Sequence, residues 1–336
     1  MENHSLSPSI TDTIGNTPLV ELKHAVRILR LRGRLLAKLE YFNPGFSKKD
    51  RVALEMIREA RLDGSLRPGQ TVVELTSGNT GAGLAIVCRA LGHPFVAVMS
   101  RGNTPERARM MQALGAQVVL VEQAPGSPPN QVSGEDLDLV EQKTRQLVQA
   151  HKAFRSNQFE LISNPVAHER FTGPELWAQS GCCVDVFLDF VGSGGCFSGV
   201  TRYLRKQNPK IRAYVVEPVG AAVLAGKPVE RSNHQLQGGG YSLPDLPLVD
   251  QSLVSGYLQV TDDEAIAAAR LMAAEEGIFG GFSSGANLAA AIQLLKKEEQ
   301  GCTIAFLVCD SGLKYLSTPL YPDLETLKDP LTSDTS

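Results

Sequence analysis

The chain reads as an α/β protein of two lobes, each a mostly parallel twisted sheet flanked by helices. Three observations predict it. Apolar runs of strand length alternate with stretches whose apolar residues recur every three or four positions. At 336 residues the chain is long enough for two cores of ordinary size. Glycine-rich loops at Gly78 and Gly192 each follow a predicted strand, where ligands gather in parallel sheets.

Taken in order, strands are expected at 35–39, 71–75, 94–99, 117–121, 184–191, 212–216 and 303–308. Helices are expected at 51–62, 83–91, 105–114, 135–150, 199–207, 262–276 and 286–297. Parallel neighbours need a crossover, and helical crossovers cover both faces of such a sheet. Residues 123–135 (QAPGSPPNQVSGE) carry turn formers without periodicity, so a surface loop is expected there. The polar stretch 324–336 reads as a flexible tail.

Composition narrows the function classes. A net charge of −3 provides no field for nucleic acid or an anionic membrane, and neither partner is expected. Apolar runs are broken well short of the ~18 residues of a spanning helix. The N-terminus lacks a basic region followed by an apolar core, so no secretory leader is expected. Cys88, Cys182, Cys183, Cys196, Cys302 and Cys309 show no CxxC spacing and read as reduced thiols, which suits a cytoplasmic setting. The histidines are scattered without an HExxH pair, so no metal site is expected. There is no GxSxG elbow and no GK[ST] nucleotide loop.

Chemistry concentrates in four segments. Thr76-Ser77-Gly78-Asn79-Thr80-Gly81 sets hydroxyls, an amide and glycines between a strand and a helix. Such a turn aims N–H groups and hydroxyls at one spot over a helix N-terminus, which suits a carboxylate or phosphate. Val191 to Cys196 (VGSGGC) repeats the arrangement with glycines that let backbone approach an anion. Gly280 to Gly285 (GGFSSG) is a third turn before an apolar helix, where an N-cap serine is expected. Ser47 to Arg51 (SKKDR) supplies lysines. On the residues alone it equally suits a solvated helix start, since a lysine becomes a nucleophile only when desolvated or set near other cations.

These segments, in this order, resemble the cysteine synthase (O-acetylserine sulfhydrylase) and cystathionine β-synthase family of pyridoxal-phosphate enzymes. The likeness runs through IGNTPLV (14–20), NPGFSKKDR (43–51), ELTSGNTG (74–81), HERFTGPELW (168–177), VGSGGCFSGV (191–200), HQLQGGG (234–240), GGFSSGA (280–286) and KYLSTPLY (314–321). It implies the two-lobed fold of the tryptophan synthase β-subunit. Residues 45–159 would be a smaller mobile lobe that grips the substrate carboxylate. Residues 1–44 and 160–323 would be a larger lobe that holds the cofactor phosphate. The resemblance also implies a homodimer.

Carried over by motif, Lys49 would form the Schiff base, because it directly precedes Asp50-Arg51; Lys48 would be a bystander. Thr76, Ser77, Asn79 and Thr80, with Gln158, would bind the substrate carboxylate, and Gly239 would border the substrate entrance. Asn79 would also bond the cofactor's ring hydroxyl. Gly192, Ser193, Gly194, Gly195 and Cys196 would cup the phosphate, and Ser283 would face the pyridine nitrogen. The implied reaction is β-replacement on an O-activated L-serine through an aminoacrylate, with sulfide as the expected nucleophile. Elimination from cysteine, or an amine or thiol nucleophile, stays open. Cys196 stands where relatives usually carry threonine, and a thiol is the weaker donor.

Overall fold

A computed structural model of the chain describes residues 6–127, 132, 134–231 and 233–321. The middle of the 123–135 loop and the 324–336 tail lie outside them. Ten strands are present among the described residues: β1 (Leu19–Glu21), β2 (Arg34–Leu39), β3 (Val72–Leu75), β4 (Phe95–Ser100), β5 (Gln117–Val121), β6 (Phe154–Arg155), β7 (Val186–Phe190), β8 (Arg212–Pro218), β9 (Gly256–Val260) and β10 (Thr303–Val308). They form two sheets, in the orders β1-β2-β10-β7-β8-β9 and β5-β4-β3-β6. Every pairing is parallel except β1 with β2.

The fold class and seven strands are those expected. The central strands β7 and β10 are buried along their whole length, which is why they read as unbroken apolar runs rather than alternating ones. Three strands carried no such signal. β1 and β6 are three and two residues long, and β9 is half-buried over most of its length. Also unforeseen are the short helices Ser163–Ala167 and Gly173–Gln179, joined by a π-helical turn at His168–Thr172.

Several helices begin earlier than their apolar periodicity indicates: at Lys49, Asn79, Gly195 and Phe282. In each case the motif itself supplies the first turn of the helix, where N–H groups lack a partner in a preceding turn. The expected N-cap serine before Phe282–Lys296 is absent. Gly281 occupies that position without a side-chain cap, because Ser283 and Ser284 already lie inside the helix.

The helix Lys49–Leu62 packs Val52, Met56 and Ile57 against Leu84, Val87 and Cys88 of the helix Asn79–Leu91. Gly83 permits the close crossing: a Cβ there would stand 3.1 Å from the Lys49 carbonyl and 3.2 Å from the Ala53 Cβ. The start of one helix is thereby set beside the start of the other.

A buried charge network ties this helix to the larger sheet. Arg51 donates to Glu40 at 2.7 and 2.9 Å and to Glu175 at 2.6 and 2.8 Å. Lys38, wholly buried on β2, donates to Glu175, the Thr17 carbonyl and Gln179. Burial pushes the Glu175 carboxyl up, but Arg51 and Lys38 outweigh it and hold it near about 2. Charges so buried are tolerable only when fully paired. Arg51→Met strands Glu40 and Glu175 without their guanidinium, and we expect a loss of about 3–5 kcal/mol of stability, read as a lower denaturant midpoint by circular dichroism.

Candidate active site

Lys49 is the first residue of its helix, and its Nζ lies 3.1 Å from Gln158 Oε1. The same oxygen accepts from Thr80 Oγ1 at 2.6 Å. One glutamine thus joins the lysine to the first of the glycine-rich loops. Burial, and then the neighbouring Lys48 ammonium, bring the Lys49 amine down to about 8. A lysine so placed is neutral in a useful fraction near neutral pH, which an exposed one is not.

The Thr76–Gly81 loop has two layers. Thr76 is buried, and its hydroxyl accepts from the Gly81 N–H at 2.9 Å, so it braces the turn. Among the described residues, the N–H groups of Ser77, Gly78, Asn79 and Thr80 have no protein acceptor. The Ser77 carbonyl accepts from Arg107 at 3.2 Å, and Arg107 also donates to Gln237. Asn79 donates to Asp310 at 2.7 Å and accepts from Lys314 at 2.5 Å. Tyr315 donates to the same Asp310 oxygen.

The second loop follows β7. Gly194 adopts φ +87°, and the helix Gly195–Gln207 starts at the next residue. The N–H groups of Gly192 to Cys196 have no protein acceptor among the described residues. A Cβ on Gly192 would stand 2.6 Å from the Gly238 carbonyl, and one on Gly195 would collide with the Asn164 amide. Ser193 accepts from Asn164 Nδ2 at 2.9 Å, and that nitrogen also reaches the Gln158 carbonyl at 2.7 Å. Asn164 therefore ties this loop to the residue that contacts Lys49. Cys196 is buried, and burial followed by the Asp189 carboxylate pushes its thiol well up. It is a neutral, weak donor.

Ser283, buried in the first turn of the helix Phe282–Lys296, lies beside Cys309. Gly239 packs on the Val191 carbonyl, next to the second loop rather than the first. The same segment reaches Gln158's neighbour, since Tyr241 and Phe159 meet edge to face at 5.9 Å.

Lys48, the expected bystander, has a fixed partner. Its Nζ pairs with both oxygens of Asp189 on β7, at 2.8 and 3.0 Å. A carboxylate inside a central strand has to be neutralised, and Lys48 does so. Asp189, Asn164, Arg107 and Lys314 were not foreseen. Each is a single polar residue with no periodic signal, and distant parts of the chain supply its partners.

Residues 10–310 match the family model described as "Pyridoxal-phosphate dependent enzyme". The chain belongs to this family. The pyridoxal-phosphate-dependent enzymes it resembles include cysteine synthase of Staphylococcus aureus, 41% identical over 93% of this chain and 96% of that protein. A solved structure of O-acetylserine sulfhydrylase isoform 3 from Entamoeba histolytica is 34% identical, with TM-score 0.87 over 98% of this chain and 95% of that one. A hydrogen sulfide-producing enzyme from Fusobacterium nucleatum is 36% identical, with TM-score 0.84 over 93% and 99%. The chain is a pyridoxal-phosphate enzyme of the β-replacement kind.

The residues present fit that cofactor. An aldehyde needs an unprotonated amine, and Lys49, brought down to about 8, supplies one in part near neutral pH. A phosphate needs converging N–H groups without Cβ atoms in the way, and Gly192 to Cys196 supply them.

Two outcomes are expected. Covalent capture of pyridoxal phosphate by the apoprotein needs a neutral amine, so its rate rises with pH and levels off above about 8; stopped-flow absorbance measures it, and a rise continuing beyond pH 10 would contradict the site's electrostatics. Asn164→Ala frees both Ser193 and Gln158, and equilibrium dialysis should find cofactor affinity lower by roughly tenfold.

Proposed function

We propose that the chain makes cysteine and acetate from O-acetyl-L-serine and sulfide, with Lys49 as the amine that carries the cofactor. Pyridoxal phosphate, when bound, supplies an electron-withdrawing ring that eases departure of the Cα proton and the Cβ leaving group. The roles of the chain's own residues follow from their chemistry. Lys49, neutral in part and held by Gln158, takes the Cα proton as base. The open N–H groups of Ser77, Gly78, Asn79 and Thr80 bind the substrate carboxylate and fix which bond faces Lys49.

The amides of Gly192 to Cys196 hold the phosphate. Ser283 offers a hydroxyl, not a carboxylate, to the pyridine nitrogen, which leaves the ring a weaker electron sink. That suits loss of a good leaving group more than reactions needing a long-lived carbanion. Residues 45–159 act as the mobile lobe and residues 1–44 and 160–323 as the cofactor lobe, with Arg107 closing the seam between Ser77 and Gln237.

One observation carries the reading: a partly neutral lysine and an open anion loop share the Gln158 oxygen. It joins the base to the carboxylate site. The names of the relatives supply the leaving group and nucleophile. A homodimer, as the family resemblance implies, and a cytoplasmic setting belong to the same proposal. The six cysteines, all unpaired, support the latter, and no helix among the described residues is long and apolar enough to cross a membrane. β-Elimination from cysteine is the second reading, favoured by the Fusobacterium relative's production of hydrogen sulfide.

The test is product analysis with O-acetylserine, with and without sulfide, beside cysteine alone. Cysteine should form in the first mixture faster than sulfide and pyruvate form from cysteine. Lys49→Ala should lower turnover by roughly 10²–10⁴-fold. Cysteine formation at the wild-type rate in that variant would sink the assignment.

A further inference from the structure

Two lysines stand side by side at the edge of the cofactor site, and the reaction uses one. Consecutive positions at a helix start point about 100° apart, and the two side chains have different partners. Lys49 turns to Gln158. Lys48 turns to Asp189, which is 2% exposed, while the lysine side chain is 12% exposed. The Lys48 N–H is also fixed, donating to the Cys309 carbonyl at 2.9 Å. Asp189 itself sits at the middle of the larger sheet, two residues before the second loop, and nothing in the proposed reaction employs it.

We propose that Asp189 is a positioning residue that holds Lys48 out of the reaction, so that of two adjacent amines only Lys49 condenses with the cofactor aldehyde. The inference rests on Lys49 being the carrier. The geometry separates the amines in space, and the charges separate them in protonation. Despite burial, the Asp189 carboxylate keeps the Lys48 ammonium well above its ordinary value. The Lys49 amine is brought down by burial first and by that ammonium second. Lys48 thus serves as the fixed charge that helps keep its neighbour neutral.

Other groups face Lys49 from the packed elements. Cys196 at the second loop and Cys309 after β10 stand near as neutral thiols, and the Asp189 carboxylate acts to raise it, but less than burial and Lys48 lower it. Glu74 on β3 and His168 respond in turn to its charge.

The experiment uses full-length apoprotein, pyridoxal phosphate and borohydride. The lysine nitrogen condenses with the aldehyde, releasing water, and hydride reduces the C=N bond to a secondary amine that survives peptide mapping. Wild-type protein should carry the label at Lys49 alone; a label elsewhere overturns the Lys49 assignment and with it this inference. Asp189→Asn should move a measurable share of label to Lys48. Lys48→Met keeps an unpaired Asp189 and should raise the pH midpoint of Lys49 labelling by about one unit. The double variant Lys48→Met/Asp189→Asn removes both charges and should return the midpoint toward the wild-type value.

Label confined to Lys49 in folded Asp189→Asn, or an unchanged midpoint in Lys48→Met, overturns the selector role while leaving Lys49 as the carrier. Circular dichroism verifies folding. If Asp189→Asn does not fold, the midpoints of wild type, Lys48→Met and the double variant decide.

Discussion

Covering the polar segment Ser47 to Arg51 between two sheets is the constraint on which the site depends. Ser47, Asp50 and Arg51 are buried, and both lysines are largely covered. Burying a charge is costly unless a partner comes with it, and two of the cations recruit carboxylates from other parts of the chain. Lys48 takes Asp189, Asp50 takes the Gly45 N–H, and Arg51 takes Glu40 and Glu175. Lys49 has only the neutral Gln158, and its amine loses protonation as a result. The amine proposed to carry the cofactor is the one cation of this segment that the fold leaves without a carboxylate among the contacts described above.

The same economy governs the two loops. Each begins a helix, so each presents N–H groups that no preceding turn satisfies. Among the described residues these donors have no protein acceptor. Asn164 and Gln158 set the two loops in register with Lys49, through bonds of 2.6–3.1 Å. An amine and two anion sites held at fixed separation constitute a template for a phosphorylated aldehyde and an amino acid together.

Much of this was legible in the chain. The parallel α/β architecture followed from the alternation of apolar runs, because central strands such as β7 and β10 bury both faces. Both loops were visible as glycines placed after strands. Lys49 was singled out by its place before Asp50-Arg51 and by the family likeness. Less legible were β1, β6 and β9, which are too short or too exposed for a periodic pattern, and the helix starts, whose glycines and hydroxyls resemble a loop. The pairing of Lys48 was not legible for a different reason: its partner Asp189 lies 141 residues away.

By itself the sequence determined the class of fold, the two glycine turns and the residue types available for chemistry, since these depend on local periodicity and backbone freedom. Tertiary structure decided which lysine loses its proton more readily, which hydroxyl braces a turn, and how Asn164, Arg107 and Asp189 join segments far apart in the chain. Protonation and hydrogen bonding depend on burial and on partners in space, and neither is encoded in the order of neighbouring residues.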